Sequence, residues 1–343
     1  MSQITVLHEN DAWVEPLRAA FTSRGLPYAE WFLDEGRIDL DGAPPEGVYY
    51  NRMSASSHTR GHRYAPEYTG AVLAWLEAHG RRVVNNHHAL RLEISKAAQY
   101  AALRAHGIRT PRTLVAVGRE QALQAAAAFA PGPVILKPNR GGKGLGVQLF
   151  QSVEALRDHV AGADYEPPLD GIALLQEYVR SPDASITRAE FIGGELLYAV
   201  RVDASRGFEL CPADACAVDD AFCPVGEGTL GAGSAGAAGA ASEAAAPRPQ
   251  FEIREGYRPP ALAAYRRFLA ANGIEVAGIE FITDGRGETY TYDVNTNTNY
   301  NSDAETRAGR IAPGTDTGMG RVADFLGREL ARLDSGWHLR ASA

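Results

Sequence analysis

The run VILKPNRGGKGLGVQ, from Val134 to Gln148, constrains this chain more than any other stretch. A short apolar strand is expected to end at Lys137-Pro138, and a second to begin at Val147. Between them lie Gly141, Gly142, Gly144 and Gly146, with Lys143 among them. Glycine lets successive backbone N–H groups converge on one concavity, and such a nest binds anionic oxygens. Lys137 and Lys143 add charge suited to phosphate. The run predicts a nucleotide-phosphate site; a flexible surface hairpin is the plain alternative.

The pattern excludes the common phosphate loops. A P-loop needs Gly-Lys followed by Ser or Thr at the start of a helix. Here Gly142-Lys143 is followed by Gly144, and a strand comes next. The dinucleotide fingerprint also expects a helix after its glycines. A glycine loop between two strands is closer to a flap that folds over phosphates, as in kinases.

With 343 residues the chain has room for two or three structural units. Its 45% hydrophobic and 22% charged content describes a soluble globular protein, and its net charge of −8 argues against a nucleic-acid or membrane partner. It opens on the strand-like ITVLH, so no signal peptide is expected, and no run approaches the ~20 apolar residues of a membrane span. Cys211, Cys216 and Cys223 lack the CxxC spacing of ordinary zinc sites and suit a reducing cytoplasm. A three-thiol metal site with a His or Asp ligand is the alternative.

The expected fold class is α/β, with three units. Residues 1–90 alternate strands and helices and read as a small parallel sheet. Residues 91–172 carry a helix with Lys96 and then the glycine flap. Residues 173–343 are strand-rich and contain a low-complexity Ala/Gly/Ser insertion, Gly226–Gln250, too poor in large apolar groups to form a core. The polar stretch 51–64 follows the carboxyl end of an expected strand, where open α/β sheets bind ligands. Its Arg52, His58, Arg60, His62 and Arg63 are many basic groups for one loop; a solvated connection is the bland reading.

Two hairpins carry the chemistry. In AGIEFITDGRGETYTYDVN, residues 277–295, a four-residue turn at Asp284–Gly287 puts Glu280 opposite Thr291 and Asp293 opposite Gly278. Side chains alternate with period two, so Glu280, Asp293 and Asn295 share a face. Two carboxylates and an amide oxygen suit Mg²⁺, or Mn²⁺ in its place, with substrate phosphates completing the shell. An odd-length turn breaks that register. In ITRAEFIGGELLYAVRV, residues 186–202, a Gly193-Gly194 turn puts Arg188 opposite Ala199 and Arg201 opposite Ile186. Arg188 and Arg201 then share a face beside Glu190, which suits a phosphate or carboxylate ligand. Before that hairpin, the strand Ala173–Val179 ends in Gln176-Glu177-Tyr178-Val179, an edge able to read an adenine.

These pieces, in this order, resemble the ATP-grasp superfamily. Within it the chain looks most like the RimK-like branch of α-L-glutamate ligases, and more distantly glutathione synthetases and D-alanine ligases. The resemblance covers roughly residues 90–300 and implies two lobes clamping ATP. It implies that Lys96 and Lys137 contact the phosphates, and that Gly141, Gly142, Lys143, Gly144 and Gly146 cover them. Gln176, Glu177 and Val179 would face the adenine and Asp183 the ribose. Arg188 and Arg201 would neutralise transferring charge, and Glu280, Asp293 and Asn295 would hold two Mg²⁺ ions. The implied activity joins a carboxylate to an amine through an acylphosphate, with an amino acid such as glutamate as one substrate, and the implied assembly is a homodimer or tetramer. Arg52, His58, Arg60, Asn297 and Asn299 are the candidate substrate contacts. The insertion and the Asn297–Asn301 tail depart from the family pattern and put glutamate in question. A kinase-like phosphotransferase for a small molecule, and a nucleotide-binding scaffold with degenerate catalysis, are the rival readings.

Overall fold

The computed structural model describes residues 2–142, 144–163, 165–205, 249–310 and 317–336. Lys143, the three cysteines and nearly all of Gly226–Gln250 lie outside them.

The first unit runs β1 (Gln3–His8), α1 (Asp11–Ser23), β2 (Tyr28–Phe32), β3 (Gly47–Asn51), α2 (Ala65–Ala78) and β4 (Arg82–Val84). The strands form a parallel sheet in the order β2-β1-β3-β4. All five residues of β3 are buried, as expected for a strand covered on both faces. α3 (His87–Glu93) and α4 (Lys96–Ala105) follow.

The second sheet comprises β5 (Thr113–Val117), β6 (Val134–Pro138), β7 (Gln148–Phe150) and β8 (Ile172–Glu177), in the order β5-β8-β6-β7. α5 (Arg119–Ala126) and α6 (Val153–Ala161) cover one face through Ala122, Ala126, Leu156 and Val160. The glycine run joins β6 to β7, antiparallel neighbours, so it is a loop at one sheet end as the sequence implies.

The third sheet contains β9 (Ser185–Ile192), β10 (Glu195–Asp203), β11 (Phe251–Arg254), β12 (Val276–Thr283) and β13 (Thr289–Asn295), with α7 (Leu262–Ala271) between β11 and β12. The order is β11-β10-β9-β12-β13. α7 buries Tyr265, Phe268 and Leu269 against Ala189, Phe191, Ala277 and Phe281 on one face.

The other face of this sheet does not close a core of its own. Ile186, Tyr198, Val200 and Val276 pack in one cluster with Ile4, Val14, Leu17 and Tyr50 of the first unit. α8 (Ser302–Arg307) leads toward α9 (Gly318–Asp334), which packs on α1 and β3. Val322, Phe325, Leu326 and Leu330 recur at helical spacing on its buried side. Each such side chain contributes about 1.5–3 kcal/mol when fully buried. The carboxyl-terminal helix is therefore part of the wall that supports the amino-terminal sheet.

Candidate nucleotide and metal site

A cavity of about 430 Å³ opens where the three sheets meet. Lys96, Lys137, the flap glycines Gly141, Gly142 and Gly144, and the linker Gln176–Ser185 line it, together with Arg188, Glu280, Asp293 and Asn295. Trp13, Ser54, Ser56, Asn297 and Asn299 close the end nearest the first unit.

The acid hairpin reaches its geometry by two departures from the expected register. Its turn is odd: Thr283 lies opposite Thr289, one residue beyond the four-residue expectation. A bulge then follows, because Phe281 pairs with Thr291 while Glu280 pairs with Asp293. The extra residue is Tyr292. Each slip alone would turn Asp293 to the wrong face; together they bring it directly opposite Glu280, closer than the diagonal placement expected from alternation. The bulge also turns Tyr292 inward, where its hydroxyl donates to Glu280 Oε2 at 3.0 Å. Asn295 pairs with Gly278, and its Oδ1 accepts the Asn297 N–H at 2.9 Å.

The arginine hairpin also carries a bulge, and here the expectation fails. Leu196 pairs with Phe191 but Tyr198 with Glu190, so Leu197 is the extra residue. Arg188 lies opposite Val200, and Arg201 opposite Thr187. The two arginines consequently point to opposite faces. Arg188 is buried beside the acids: Nε donates to Glu190 at 2.6 Å, Nη1 to Glu280 at 3.2 Å and Nη2 to Thr298 Oγ1 at 2.5 Å. A β-carbon at Gly278 would sit 2.7 Å from Arg188 Nε, so the guanidinium needs a glycine beneath it. Arg201 instead holds Asp183 at 3.1 Å and does not line the cavity. Hydrogen bonds from Ser185 and Ser181, with Arg201, keep the Asp183 carboxyl well below the usual range.

The lysines are held from below. Asn139 Oδ1 accepts the Ala97 N–H at 2.8 Å and the Asn139 carbonyl accepts the Lys96 N–H at 3.1 Å, fixing the first turn of α4. Lys96 Nζ lies 2.6 Å from Asp293 Oδ1. Lys137 Nζ donates to Tyr100 Oη at 2.5 Å. Burial, then the neighbouring Lys96 charge, brings Lys137 down to about 7. Gln176 donates to Tyr100 Oη at 3.1 Å and Thr113 Oγ1 at 2.8 Å, while Glu177 Oε1 accepts the Arg112 N–H at 2.7 Å. In the flap, Gly144 and Gly146 take φ of 77° and 73°, a region that favours glycine. Arg140 anchors its start by pairing with Glu67 of α2 at 2.5 Å.

Three candidate substrate contacts lie off the cavity, and two of them are otherwise engaged. Arg52 is fully buried and saturated: it donates to the carbonyls of Trp13 and Thr298 at 2.9 and 3.1 Å, and to Asn297 and Asn299 Oδ1 at 3.0 and 2.7 Å. Arg60 pairs with Glu9 at 2.5 Å and stacks 4.8 Å over Trp13. Neither these arginines nor His58 line the cavity; Asn297 and Asn299 do. Sequence reasoning missed Tyr100, Tyr292, Trp13 and Glu93. Tyr100 lies one helical turn after Lys96, a spacing that marks it; nothing in the spacing marks the other three, because a bulge or a packing contact brings each to the site.

The donor set fits a hard divalent cation. Burial and the adjacent Asp293 push Glu280 up, against the pull of Arg188, so added positive charge there is favoured. Glu280, Asp293 and Asn295 would hold such a cation, and Lys96 Nζ already bonds one of the two carboxylates.

Three sheets closing on one cleft, with a glycine flap facing an acid hairpin, define the ATP-grasp fold. The solved structures bear this out. A RimK-domain ATP-grasp protein from Sphaerobacter thermophilus superposes with a TM-score of 0.58 at 18% identity, covering 94% of this chain and 99% of that one. The ATP-grasp ligase PsnB, solved with its minimal precursor, Mg and ADP, gives a TM-score of 0.61 at 16% identity over 95% and 97% of the two chains. Among curated proteins, the alpha-aminoadipate–LysW ligase LysX of Sulfurisphaera tokodaii is 35% identical over 102 residues. That match covers 29% of this chain and about a third, 35%, of LysX. No protein-family profile matches the chain. No helix among the described residues is long and apolar enough to cross a membrane.

Proposed function

We propose that this protein is an ATP-dependent carboxylate–amine ligase that forms an amide bond through an acylphosphate. One observation carries the reading: Glu280 faces Asp293 across the hairpin, beside Asn295, in the cavity that also receives Lys96, Lys137 and the flap.

In this reading Lys96 and Lys137 bind the phosphates of ATP, and Gln176, Glu177 and Val179 border the adenine, with Asp183 at the ribose. Glu280, Asp293 and Asn295 would hold Mg²⁺, which when bound supplies neutralising charge to the phosphate oxygens. Arg188, positioned by Glu190 and Thr298, presents a fixed guanidinium to the group being transferred. Phosphoryl transfer needs positioning and charge neutralisation more than covalent help, and this cavity offers both. The flap, tied to α2 by Arg140, keeps water from the activated carboxyl group.

The second substrate is an amino acid, a peptide or a protein. LysX is a ligase of alpha-aminoadipate and LysW, and PsnB is solved with a precursor peptide, so small-molecule and peptide substrates are both candidates. The test is ADP release from ATP and Mg²⁺, screened across amino acids and short peptides, with mass spectrometry of the product. ADP release that needs both an acid and an amine supports the ligase. A stable phosphorylated product with no amine requirement would establish a phosphotransferase instead.

A further inference from the structure

Five carboxylates line the cavity among the described residues: Glu93, Glu177, Asp183, Glu280 and Asp293. Four have evident duties. Glu280 and Asp293 form the cross-strand pair. Glu177 and Asp183 belong to the linker, and their oxygens are engaged by Arg112 and by Ser181, Ser185 and Arg201. Glu93 has none of these roles.

Glu93 is the last residue of α3, at the cavity end nearest the first unit. Its Oε2 accepts the Thr296 N–H at 2.7 Å and the Thr296 hydroxyl at 3.1 Å. Its Oε1 receives one long contact, from the Ala55 N–H at 3.4 Å. A carboxylate offers about four lone-pair positions, so Oε1 keeps acceptor capacity. The nearby ammonium of Lys96 is bonded to Asp293 rather than to Glu93. Ser54, Ser56 and Asn297 line the cavity with it, and the charges of Asp293 and Lys96 also reach it. The flap closes over the same place, because a β-carbon at Gly142 would lie 3.4 Å from Ser56 Cβ. Glu93 is half-buried and hydrogen-bonded to no cation, and burial pushes it up against the weaker pull of Lys96. A cationic ligand would offset the cost of that burial.

We propose that Glu93 is the docking carboxylate for the ammonium group of the acceptor, so that the second substrate is a primary amine received as a cation beside Ser54, Ser56 and Asn297. This rests on the ligase reading. Formation of the activated acid does not need Glu93; capture of a charged amine does. The ammonium passes a proton to Glu93 Oε1 before its nitrogen attacks the acyl carbon and phosphate leaves.

Hydroxylamine separates the two steps, because it is uncharged near neutral pH and traps an activated carboxyl as a hydroxamate. Wild-type and Glu93→Gln enzymes are compared with ATP, Mg²⁺, the proteinogenic amino acids and short peptides, each as acid with hydroxylamine and as amine. Glu93→Gln is expected to form hydroxamate at the wild-type rate with an unchanged KM for ATP. Its KM for the amino-acid amine should rise about 10- to 100-fold, the range of one charge-assisted hydrogen bond. Glu93→Asp, which keeps the charge, should recover part of that loss. Parallel loss of hydroxamate, an unchanged amine KM, or no recovery in Glu93→Asp would overturn the assignment. Absence of hydroxamate from the wild-type enzyme with every acid would overturn the ligase reading itself.

Discussion

Lys96 Nζ lies 2.6 Å from Asp293 Oδ1, joining the first turn of α4 to the acid hairpin across the cleft. Burial works against the Lys96 charge, but Asp293 more than offsets it and holds the ammonium above its ordinary value. Asp293→Asn removes both the metal-binding charge and the lysine's partner. We expect turnover to fall at least ~10²-fold, while the partly buried pair costs about 1–3 kcal/mol of stability. ADP release and thermal melting by circular dichroism measure the two effects. Near-normal turnover would remove the metal assignment.

Lys137 gives the site a pH signature. Its folded pKa of about 7 lies below its unfolded value of 10.5. Between those values the unfolded chain holds the proton and the folded one does not. The ligand-free protein therefore gains stability from this group as pH rises from about 7 toward 10.5, and loses it as pH falls back. A triphosphate favours the charged form. ATP binding at pH 8 should then take up a proton, and much less so at pH 6. Calorimetry in buffers of different ionisation enthalpy reads this directly, and Lys137→Met should abolish the uptake.

The opposite facing of Arg188 and Arg201 predicts unlike phenotypes. Arg188→Met leaves Glu190 buried without its cation, costing about 3–5 kcal/mol, and should eliminate turnover. Arg201→Met frees Asp183 in the linker and should raise the KM for ATP several-fold with kcat largely kept. Steady-state kinetics on both variants decides the matter. A collapse of kcat in Arg201→Met would show that Arg201 reaches the reacting group.

Arg52 is a structural cation rather than a substrate contact. Arg52→Ala strands the Asn297 and Asn299 oxygens and two carbonyls in a buried setting. About 3–5 kcal/mol of stability should be lost, with partial recovery in Arg52→Lys, which restores charge but not the planar fork. Urea unfolding midpoints provide the check. Because the bonded asparagines line the cavity, the lysine variant should also raise the KM for the amine.

Much of this was legible from residue order, and the parts that were not share a cause. The alternation of strands and helices in the first 90 residues and the strand–glycine–strand flap are local patterns, and they reappear in the structure. The hairpins were legible only as hairpins. Alternation counts residues, and a bulge adds one without leaving a mark in composition. At Tyr292 the added residue cancels an odd turn and keeps Asp293 on the Glu280 face; at Leu197 it has nothing to cancel and sends Arg201 to the other face. Arg52, read as a free cation in a polar loop, is consumed by four oxygens contributed mainly from about 245 residues away.

The amino-acid sequence by itself determined which groups exist at the site: two lysines, a glycine flap, two acids and an amide on one hairpin, and arginines on another. Those choices follow from side-chain chemistry and short-range periodicity, which need no partner. Tertiary structure decided which of them meet. Bulges reset the register of both hairpins, and the third sheet shares its core with the first unit. Long-range hydrogen bonds then tie Glu93 to Thr296 at the cavity, and draw Arg52 onto Asn297 and Asn299 and out of the lining. The glycine flap is the same loop in both accounts, but only packing against Ser56 and Glu67 says what it closes over.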